Sequence, residues 1–573
     1  MAFIERIHTF ETNEQRLNFE LGGEYIEPYT SLVDDDDSIH YNIFKARFIL
    51  NDGRVIKIKY KNDNTDSAIT SGETVEYKPY ITDVVIGDKV KTLGSGVFSG
   101  CTKLENIDLP SGLRSISNSA FTSCYKLTSI DIPDSVTSIS INAFMGCKSL
   151  TSVVIPNGVK SIEVGTFYGC NSLSSIVIPN TITVIRNSAF QKCSSLTNIE
   201  IPNSVTSFGN SVFSDCTSLT SVTMPSGITE IRGGLFNACT NLQSIDIPSG
   251  VTNIGGSAFQ GCSSLVDINI PSGVTSIGAS AFTNCSSITS ITIPDKVTSI
   301  GNYAFYNCKG IKDIVIPDSV TNLGESTFTY CSSVTNLIIG SGVTTLGWQE
   351  FRGCSSLSSV TIHGSITSIG ANAFYDCKSI TNIELPNTVK YINGSAFCGC
   401  SNLTSIVIPS GVTSIEEYVF NGCTNLANVE IKGNITNVKK YAFQNCRSLT
   451  SIEIPNSVTN VGEFAFCGCT SVNTIVLSSN IKTIGSEAFQ ATKITEIVIP
   501  SGVTSIGWGG FYNCTKLLSV YVLATTPPTL SASVFYGNAS GRKIYVPSES
   551  VEAYKAATNW SAYASSIEPI PTE

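Results

Sequence analysis

The fold class follows from the stretch Cys262-Ser-Ser-Leu265-Val-Asp-Ile268-Asn-Ile270-Pro271-Ser-Gly-Val274-Thr-Ser-Ile277-Gly-Ala-Ser-Ala281-Phe282. Its Ile-x-Ile pair has the two-residue period of a strand, and the Pro that follows ends the strand because Pro cannot donate to a ladder. Val-x-x-Ile-Gly then turns the chain. Ser-Ala-Phe-x-x-Cys suits a single helical or 3-10 turn that places Phe and Cys on one inward face. The stretch therefore predicts one coil of a β-rich solenoid.

The same stretch recurs along most of the chain. Its Phe returns nineteen times between Phe98 and Phe511, in steps of 23 residues with one single-residue deletion. A Cys lies three positions after each Phe except at Thr492. One coil cannot bury its apolar residues alone, whereas stacked coils form continuous ladders of Ile, Phe and Cys. We therefore expect a repeat solenoid with a parallel β-sheet over residues 78–523.

The pattern Cys-x-x-Leu-x-x-Ile-x-Ile-Pro, followed by Val-Thr-Ser-Ile-Gly and Ala-Phe, resembles the BspA-like leucine-rich repeats. The resemblance covers residues 78–547. It implies a leucine-rich-repeat solenoid, because the family is built from such coils. Members occur in bacterial surface proteins, especially of Bacteroidetes-type bacteria. The resemblance therefore implies adhesion to host proteins, other cells or glycans, and an extracellular or cell-surface location.

Residues 1–77 depart from the repeat. Two alternating runs, Ile43 to Leu50 and Arg54 to Tyr60, flank an Asp-Gly dipeptide and predict a β-hairpin. We expect a small N-terminal β domain over residues 1–77, in which the hairpin is followed by a polar stretch from Lys61 to Glu73. Attachment or assembly is the role we consider for this domain.

Residues 524–573 also depart from the repeat, and they predict a terminal half-repeat with a helical C-terminal cap. Ser548 is expected to cap a helix that runs to Ala557. Trp560 and Ile567 would then cover the open end of the core. A solenoid needs such a cap because an open end would pair with another chain.

Composition and charge limit the classes of partner. The net charge is −10 and only 14% of residues are charged. Nucleic acid is excluded as the main partner, because phosphate binding needs clustered Lys and Arg, and no basic stripe occurs. No membrane insertion is expected, since about twenty consecutive apolar residues occur nowhere. The first residues lack the basic start and apolar run of a signal peptide, so none is expected.

The cysteines and histidines do not predict a chemical site. Eighteen of the twenty cysteines lie in the repeat column and are expected to be structural thiols, with disulfide rungs between coils as the alternative. Cys398 and Cys467 are out of phase, but no His or acidic residue accompanies either, so no metal or cofactor is expected. His8, His40 and His363 are too scattered for a catalytic triad, and no catalytic residue is assigned.

The candidate binding surface includes the residue between the two Ile positions of each coil, whose side chain points out of the strand. This column mixes apolar and acidic residues, and two Trp residues follow the coil glycine at turns, where they would serve as exposed anchors. The candidate contacts are Val154, Val177, Glu430, Glu453, Trp348, Trp508 and Tyr521. Two alternatives remain: β-branched residues simply favour strands, and the Trp rings pack against a neighbouring coil.

These features favour a non-catalytic recognition or adhesion protein that binds a protein or glycan on a host or neighbouring cell. The lack of a signal peptide favours an alternative, a bacteriophage virion component such as a tail fibre or tail-associated host-recognition protein. In that case residues 1–77 would bind other virion proteins. A third hypothesis places an enzyme in residues 1–77, although no nucleophile-base pair is evident there.

Replacing one Phe of the repeat tests whether that column points inward. Phe282→Ala is expected to lower the free energy of unfolding by about 3–5 kcal/mol, because it would leave a cavity in the core. Thermal unfolding of the variant beside the wild type measures this. An unchanged melting curve would refute the inward placement.

Overall fold

The computed structural model describes residues 26–27, 44–60 and 67–571. The chain divides into two compact units, Met1–Gly273 and Val274–Glu573. Each unit is a solenoid of stacked coils joined by short parallel strands. The described residues form about 22 turns with little helix. The predicted parallel β-solenoid is therefore confirmed.

The strands of the first unit are short and follow one another through the coils. They are β1 (Ile26–Glu27), β2 (Phe44–Leu50), β3 (Val55–Lys59), β4 (Ala68–Ile69), β5 (Ile81–Ile86), β6 (Thr92–Leu93), β7 (Asn106–Asp108), β8 (Ser115–Ile116), β9 (Ser138–Ile139), β10 (Ser152–Val154), β11 (Ser161–Ile162), β12 (Ser175–Val177), β13 (Val184–Ile185), β14 (Asn198–Glu200), β15 (Ser207–Phe208), β16 (Ser221–Thr223), β17 (Glu230–Ile231), β18 (Ser244–Ile245), β19 (Asn253–Ile254) and β20 (Asp267–Ile268). A 3-10 helix, Ser71–Glu73, lies between β4 and β5.

The second unit continues the same pattern and ends in its longest helical segment. Its strands are β21 (Ser276–Ile277), β22 (Ser299–Ile300), β23 (Asp313–Ile316), β24 (Asn322–Leu323), β25 (Asn336–Ile339), β26 (Thr345–Leu346), β27 (Ser359–Ile362), β28 (Ser368–Ile369), β29 (Tyr391–Ile392), β30 (Ser405–Ile408), β31 (Ser414–Ile415), β32 (Asn428–Ile431), β33 (Asn437–Val438), β34 (Ser451–Glu453), β35 (Asn460–Val461), β36 (Thr474–Val476), β37 (Thr483–Ile484), β38 (Glu496–Ile499), β39 (Ser505–Ile506), β40 (Ser519–Val522), β41 (Thr529–Leu530), β42 (Lys543–Val546) and β43 (Ile567–Pro569). The helix α1 (Val551–Ala556) lies between the 3-10 helices Ser548–Ser550 and Ser561–Ser566.

Most coils contribute to two parallel ladders. The first ladder joins Ile-x-Ile strands, as where Val153 of β10 pairs with Ile176 of β12. The second ladder joins the Ser-Ile strands that follow, as where Ile162 of β11 pairs with Ile185 of β13. Partners are 23 positions apart wherever the repeat is regular, and 22 or 24 apart near the two ends, as for Ser505 with Thr529, so the repeat length sets the register.

The Phe column forms the centre of each unit's core. In the first unit the rings from Phe98 to Phe259 are fully buried and stack with centroids 5.3 to 5.6 Å apart. In the second unit the rings from Phe282 to Phe535 are buried at spacings of 5.1 to 5.8 Å. Burial of each ring contributes roughly 1.5–3 kcal/mol before entropy is counted, so stability is spread along each column.

The segment around each Phe is a run of turns whose i→i−3 hydrogen bonds have the predicted 3-10 pattern at every second residue. Ser280 and Asn284, which flank Phe282, have left-handed φ angles of 56° and 63°. Every second backbone N–H group therefore donates to a carbonyl oxygen of the next coil. Ser280 N donates to Asn302 O at 2.8 Å, and Phe282 N donates to Ala304 O at 2.7 Å. A helix would keep these N–H groups within one coil. The N–H groups between them make the predicted 3-10-type bonds, as where Cys285 N donates to Phe282 O at 3.1 Å, and Phe282 and Cys285 are both buried.

The Cys column supplies hydrogen-bond donors as well as volume. Cys308 Sγ donates to the carbonyl oxygen of Phe282 in the preceding coil at 3.0 Å, and Cys331 Sγ donates to Phe305 O at 3.2 Å. Where the column lacks Cys, Thr492 donates to a buried Phe carbonyl through its hydroxyl. All twenty cysteines lie in the described part of the chain and are free thiols. The expectation of structural thiols is confirmed.

The predicted hairpin forms from β2 and β3, which pair antiparallel with Phe48 opposite Ile56. It is joined to the first coils, because β5 pairs with β2 on one edge and with β7 on the other. The strand β4 lies within the segment expected to be polar, yet it pairs in parallel with β6, and Ile69 is fully buried. The second ladder therefore begins ahead of residue 78. Independent folding of residues 1–77 stays a prediction.

The helix near the C-terminus does not start at Ser548 as expected. Ser548 belongs to a 3-10 helix, and α1 begins at Val551. The reason lies in Ser550, whose hydroxyl donates to Thr525 O at 2.8 Å and holds this segment against an earlier loop. The predicted Ser548 cap is therefore wrong, although a helix does occur within the predicted range.

Two buried aromatic side chains attach the C-terminal segment to the last coils. The Tyr554 hydroxyl donates to Ala524 O at 2.7 Å, and Trp560 Nε1 donates to Pro528 O at 2.8 Å. Both side chains are fully buried, and the Trp560 ring lies 6.1 Å from that of Phe535. Trp560 thus packs against the last Phe of the column.

Thiol reactivity tests the burial of the Cys column. Burial raises the pKa of the Cys262 and Cys331 thiols to about 12, because the thiolate loses its hydration. At about pH 8 these thiols stay protonated and unreactive in the folded chain. We expect a disulfide reagent to modify half-buried Cys467 first and the column only after unfolding, as mapped by mass spectrometry. Cys467→Ser should remove the fast reaction, whereas Cys398→Ser should leave it. Rapid modification of several column thiols in the folded chain would contradict the structure.

Candidate functional site

The strand-face column in the first unit presents its predicted members outward. Val154 and Val177 are exposed and pair side by side between β10 and β12. Together they form a small apolar patch on a parallel ladder. Strand formation alone accounts for β-branched residues here, so their binding role stays a prediction.

The two predicted acidic contacts do not form one pair. Glu430 pairs in register with Val407, and Glu453 pairs with Val476, so each has an apolar ladder partner. The strands β32 and β34 belong to different sheets. Lys432 Nζ lies 3.9 Å from Glu430 Oε1 and partly neutralises it. The ladder is therefore interrupted between these two glutamates, and their binding role stays a prediction.

The predicted Trp anchors are exposed, Trp348 by 41% and Trp508 by 44%. Trp508 also stacks on Tyr512 of its own coil, with centroids 5.8 Å apart. Tyr521 is half-buried and stacks on Tyr545 at 4.9 Å. Each of these rings leaves one side open, and no predicted contact converges on another across a pocket.

A buried acid lies two residues after Trp348. Glu350 is fully buried at the position that Ala281 holds in an ordinary coil, and neither carboxylate oxygen has a hydrogen-bond partner within the described residues. Burial raises the pKa of Glu350 well above its usual value, and the nearby charge of Glu325 raises it further. Burial therefore favours the neutral, protonated form of this carboxyl group.

The turns around the Phe column form a second surface, which the sequence analysis missed. Tyr303, Tyr306, Tyr330, Arg352 and Tyr375 lie together on four successive coils, and we call them the Tyr–Arg cluster. The ring of Tyr306 lies 5.8 Å from that of Tyr303 and 5.6 Å from that of Tyr330, edge to face in both cases. Arg352 Cζ lies 5.9 Å from the Tyr330 ring centre and 4.8 Å from that of Tyr375. Both distances allow cation–π attraction.

Two members of the Tyr–Arg cluster occupy left-handed backbone. Tyr303 has a φ of 59° and Tyr330 a φ of 61°. The equivalent positions in the coil of Phe282 are occupied by Ser280 and Asn284. This conformation costs roughly 1–2 kcal/mol for a residue with a Cβ. Each side chain remains 38% exposed, so burial offsets only part of the cost. Such strain at exposed aromatic residues indicates a role outside folding.

A further aromatic group in the same unit uses the same backbone position. Tyr418, Tyr441 and Phe464 have φ angles of 59°, 59° and 54°, and their rings stack at 4.6 and 4.8 Å. Lys440 Nζ lies 5.0 Å from the Tyr441 ring centre and 2.9 Å from Glu463 Oε2. The signal for both groups was available in the sequence, as aromatic residues two before, one after or two after the core Phe.

The chain was compared with known families once this geometry was established. The model described as "BspA type Leucine rich repeat region (6 copies)" matches residues 72–197, 183–312, 253–381, 390–518 and 436–560. The chain belongs to the BspA-type leucine-rich-repeat family. The predicted resemblance is therefore confirmed.

Solved structures similar to this BspA-type chain include bacterial repeat proteins. A leucine-rich repeat protein from Bacteroides ovatus is 26% identical, covering 76% of this chain and 87% of that chain, with a TM-score of 0.43. A leucine rich cell surface protein from Faecalibacterium prausnitzii is 28% identical, covering 66% of this chain and 84% of that chain, with a TM-score of 0.32. No curated protein matches the chain.

The histidines and possible metal ligands of this BspA-type chain are scattered in the part that the structure describes. Among them, no group of three or more His, Cys, Asp or Glu side chains is placed to hold a metal ion. His363 is exposed just after β27, while His8 and His40 lie outside the described residues. In the same described ranges, no helix is both long enough and apolar enough to cross a membrane.

The buried Glu350 predicts how stability responds to pH. Its folded-state pKa is raised, so above the ordinary value of 4.5 the unfolded chain releases a proton that the folded chain keeps. The free energy of unfolding should therefore fall as pH rises above that value, by up to about 1.4 kcal/mol per pH unit. Glu350→Gln keeps the shape of the side chain but cannot ionise. In this variant the free energy of unfolding should depend less steeply on pH. Denaturant unfolding followed by Trp fluorescence from about pH 5 to about pH 8 measures both variants. Identical slopes would show that Glu350 ionises normally.

Proposed function

We propose that this BspA-type solenoid is a non-catalytic recognition protein that binds a protein partner outside the cell. The observation that supports this most directly is the Tyr–Arg cluster, whose exposed tyrosines occupy unfavourable backbone conformations. Tyr, Trp and Arg are the residues most enriched at the energetic centres of protein interfaces. A role in folding alone explains neither the exposure of these tyrosines nor the free-energy cost of their left-handed backbone conformation.

The arrangement of Arg352 favours a protein partner in particular. Its guanidinium lies between the rings of Tyr330 and Tyr375, and no hydrogen bond to it is found within the described residues. The two rings restrict its rotation, so little side-chain entropy remains to be lost on binding. Its planar N–H groups suit a carboxylate or a main-chain carbonyl of a partner. The cluster spans four coils, about 14 Å at the usual strand spacing, which suits a surface contact.

Display outside the cell is proposed from membership of the BspA-type family. Its repeats are associated with bacterial surface proteins, as the sequence pattern implied. Attachment to a virion through residues 1–77 stays a prediction, because residues 1–25 and 28–43 lie outside the described residues. An enzyme in that segment has no supporting observation.

Binding by the Tyr–Arg cluster can be measured on an array of purified extracellular proteins printed beside a glycan array. Labelled full-length chain should bind one or more proteins, and Tyr330→Ala or Arg352→Ala should weaken that binding at least tenfold, as expected for central interface residues. Val315→Ser is the matched surface control, because Val315 is 49% exposed on the strand face of the same unit and is not among the candidate contacts. It should bind like the wild type. Circular dichroism confirms that each variant is folded.

Two results would contradict this proposal. One is binding to glycans alone, which would assign the surface to a different class of ligand. The other is equal loss of binding in Val315→Ser and Tyr330→Ala, which would place the contact outside the Tyr–Arg cluster.

A further inference from the structure

The second ladder of the first unit is interrupted at two junctions, between β15 and β17 and, ahead of it, between β9 and β11. The β9–β11 junction borders a cleft. At the next junction, Arg186 N donates to Ile162 O at 2.9 Å and closes the ladder. The equivalent N–H of Glu163 makes no hydrogen bond to Ile139 O, and neither group has another partner among the described residues. The two successive coils therefore lack this main-chain hydrogen bond, and their strands are not paired here.

A second backbone donor and acceptor also lack a hydrogen bond at the same junction. Thr183 N donates to Lys160 O at 3.0 Å in the closed junction that follows, whereas Lys160 N and Thr137 O have no partner within the described part of the chain. The coils rejoin at once beyond the opening, where Asn142 N donates to Val164 O at 2.9 Å. The opening is thus confined to the two short strands.

A charged side chain enters the junction at this point. Glu163 follows β11 at the position that Gly209 holds after β15, where a Cβ would lie 2.2 Å from Asn187 N of the preceding coil. Glycine there permits close approach of the coils. Glu163 instead holds its carboxylate against Ser161 Oγ at 2.6 Å and Arg186 Nε at 3.0 Å. These contacts fix one wall of the opening.

The opening is a cleft of about 310 Å³ lined by residues of both strands. This volume lies at the lower end of the range for small-ligand sites. The hydroxyl groups of Ser138, Ser140 and Ser161 and the amide of Asn118 line it. Ile141, which is 41% exposed, is its large open apolar side chain.

We propose that this cleft binds a single pyranose ring of a glycan. The free N–H groups of Lys160 and Glu163 need acceptors, and the free carbonyls of Thr137 and Ile139 need donors. A sugar hydroxyl is both a donor and an acceptor, so a ring bearing several of them satisfies both kinds of group. Ile141 offers an apolar surface to the C–H face of the ring.

An extended peptide is the competing occupant, because it could also pair with open strand edges. The strands β9 and β11 offer only two residues each, so a peptide would gain few main-chain hydrogen bonds. The hydroxyl-rich lining also offers no deep apolar pocket for a peptide side chain. A small polyhydroxylated ring matches both the lining and the volume. This site lies in the first unit and does not depend on the Tyr–Arg cluster of the second.

Saturation-transfer NMR on the full chain tests the proposal with the methyl glycosides of glucose, galactose, mannose and N-acetylglucosamine. At least one glycoside should bind, and Ser161→Leu, which fills the cleft, should weaken that binding at least tenfold. Ser115→Leu is the matched control, because it places the same side chain on β8, which is paired on both edges. Ser161→Ala removes only a hydroxyl and should weaken binding by about three- to tenfold, as expected for one hydrogen bond.

Three outcomes would overturn the assignment. No transfer to any of the four glycosides is one, and equal binding by Ser161→Leu and the wild type is another. The third is displacement of the glycoside, or binding in its place, by short extended peptides, which would make the cleft a strand-pairing site. Melting curves of all three variants confirm that a loss of binding is not a loss of fold.

Discussion

Hydrogen bonds between equivalent residues of successive coils are the constraint on which the rest of each unit depends. Because partners lie 23 positions apart, as for Ile162 and Ile185, each coil repeats the backbone of its neighbour. Identical backbones place identical side chains in register, which stacks the Phe rings at nearly constant spacing. The hydrophobic column is therefore a consequence of the register as well as its stabiliser.

The same bonds dictate the conformation of the turns. Sending alternate N–H groups to the next coil requires left-handed residues on both sides of each core Phe, as at Ser280 and Asn284. Small polar residues adopt that conformation at modest cost, so Tyr303 and Tyr330 stand out as costly choices. The bonds between coils thus fix the backbone conformation at these positions. A residue type that disfavours this conformation suggests that its side chain has a role other than folding.

The periodic part of this architecture was predictable from sequence, and the non-periodic part was not. Burial repeats with the coil, so Phe282, Cys285 and their equivalents marked the core and the register. The left-handed residues on either side of each Phe were not predicted, because the hydrogen bonds that require them run to another coil and leave no local signal. A constant period also does not reveal where a ladder is interrupted, as between β32 and β34.

The open junction at Glu163 shows why interruptions of this kind can persist. Two missing main-chain hydrogen bonds cost about 1–3 kcal/mol in total at typical net values. Stability in a repeat array is approximately a sum over neighbouring coils, so such a loss stays local and the adjoining Phe144 and Phe167 rings still stack at 5.5 Å. A globular core would repack around the gap, whereas a solenoid keeps it open at the surface. Local defects are therefore where a repeat scaffold can acquire a ligand site without losing its fold.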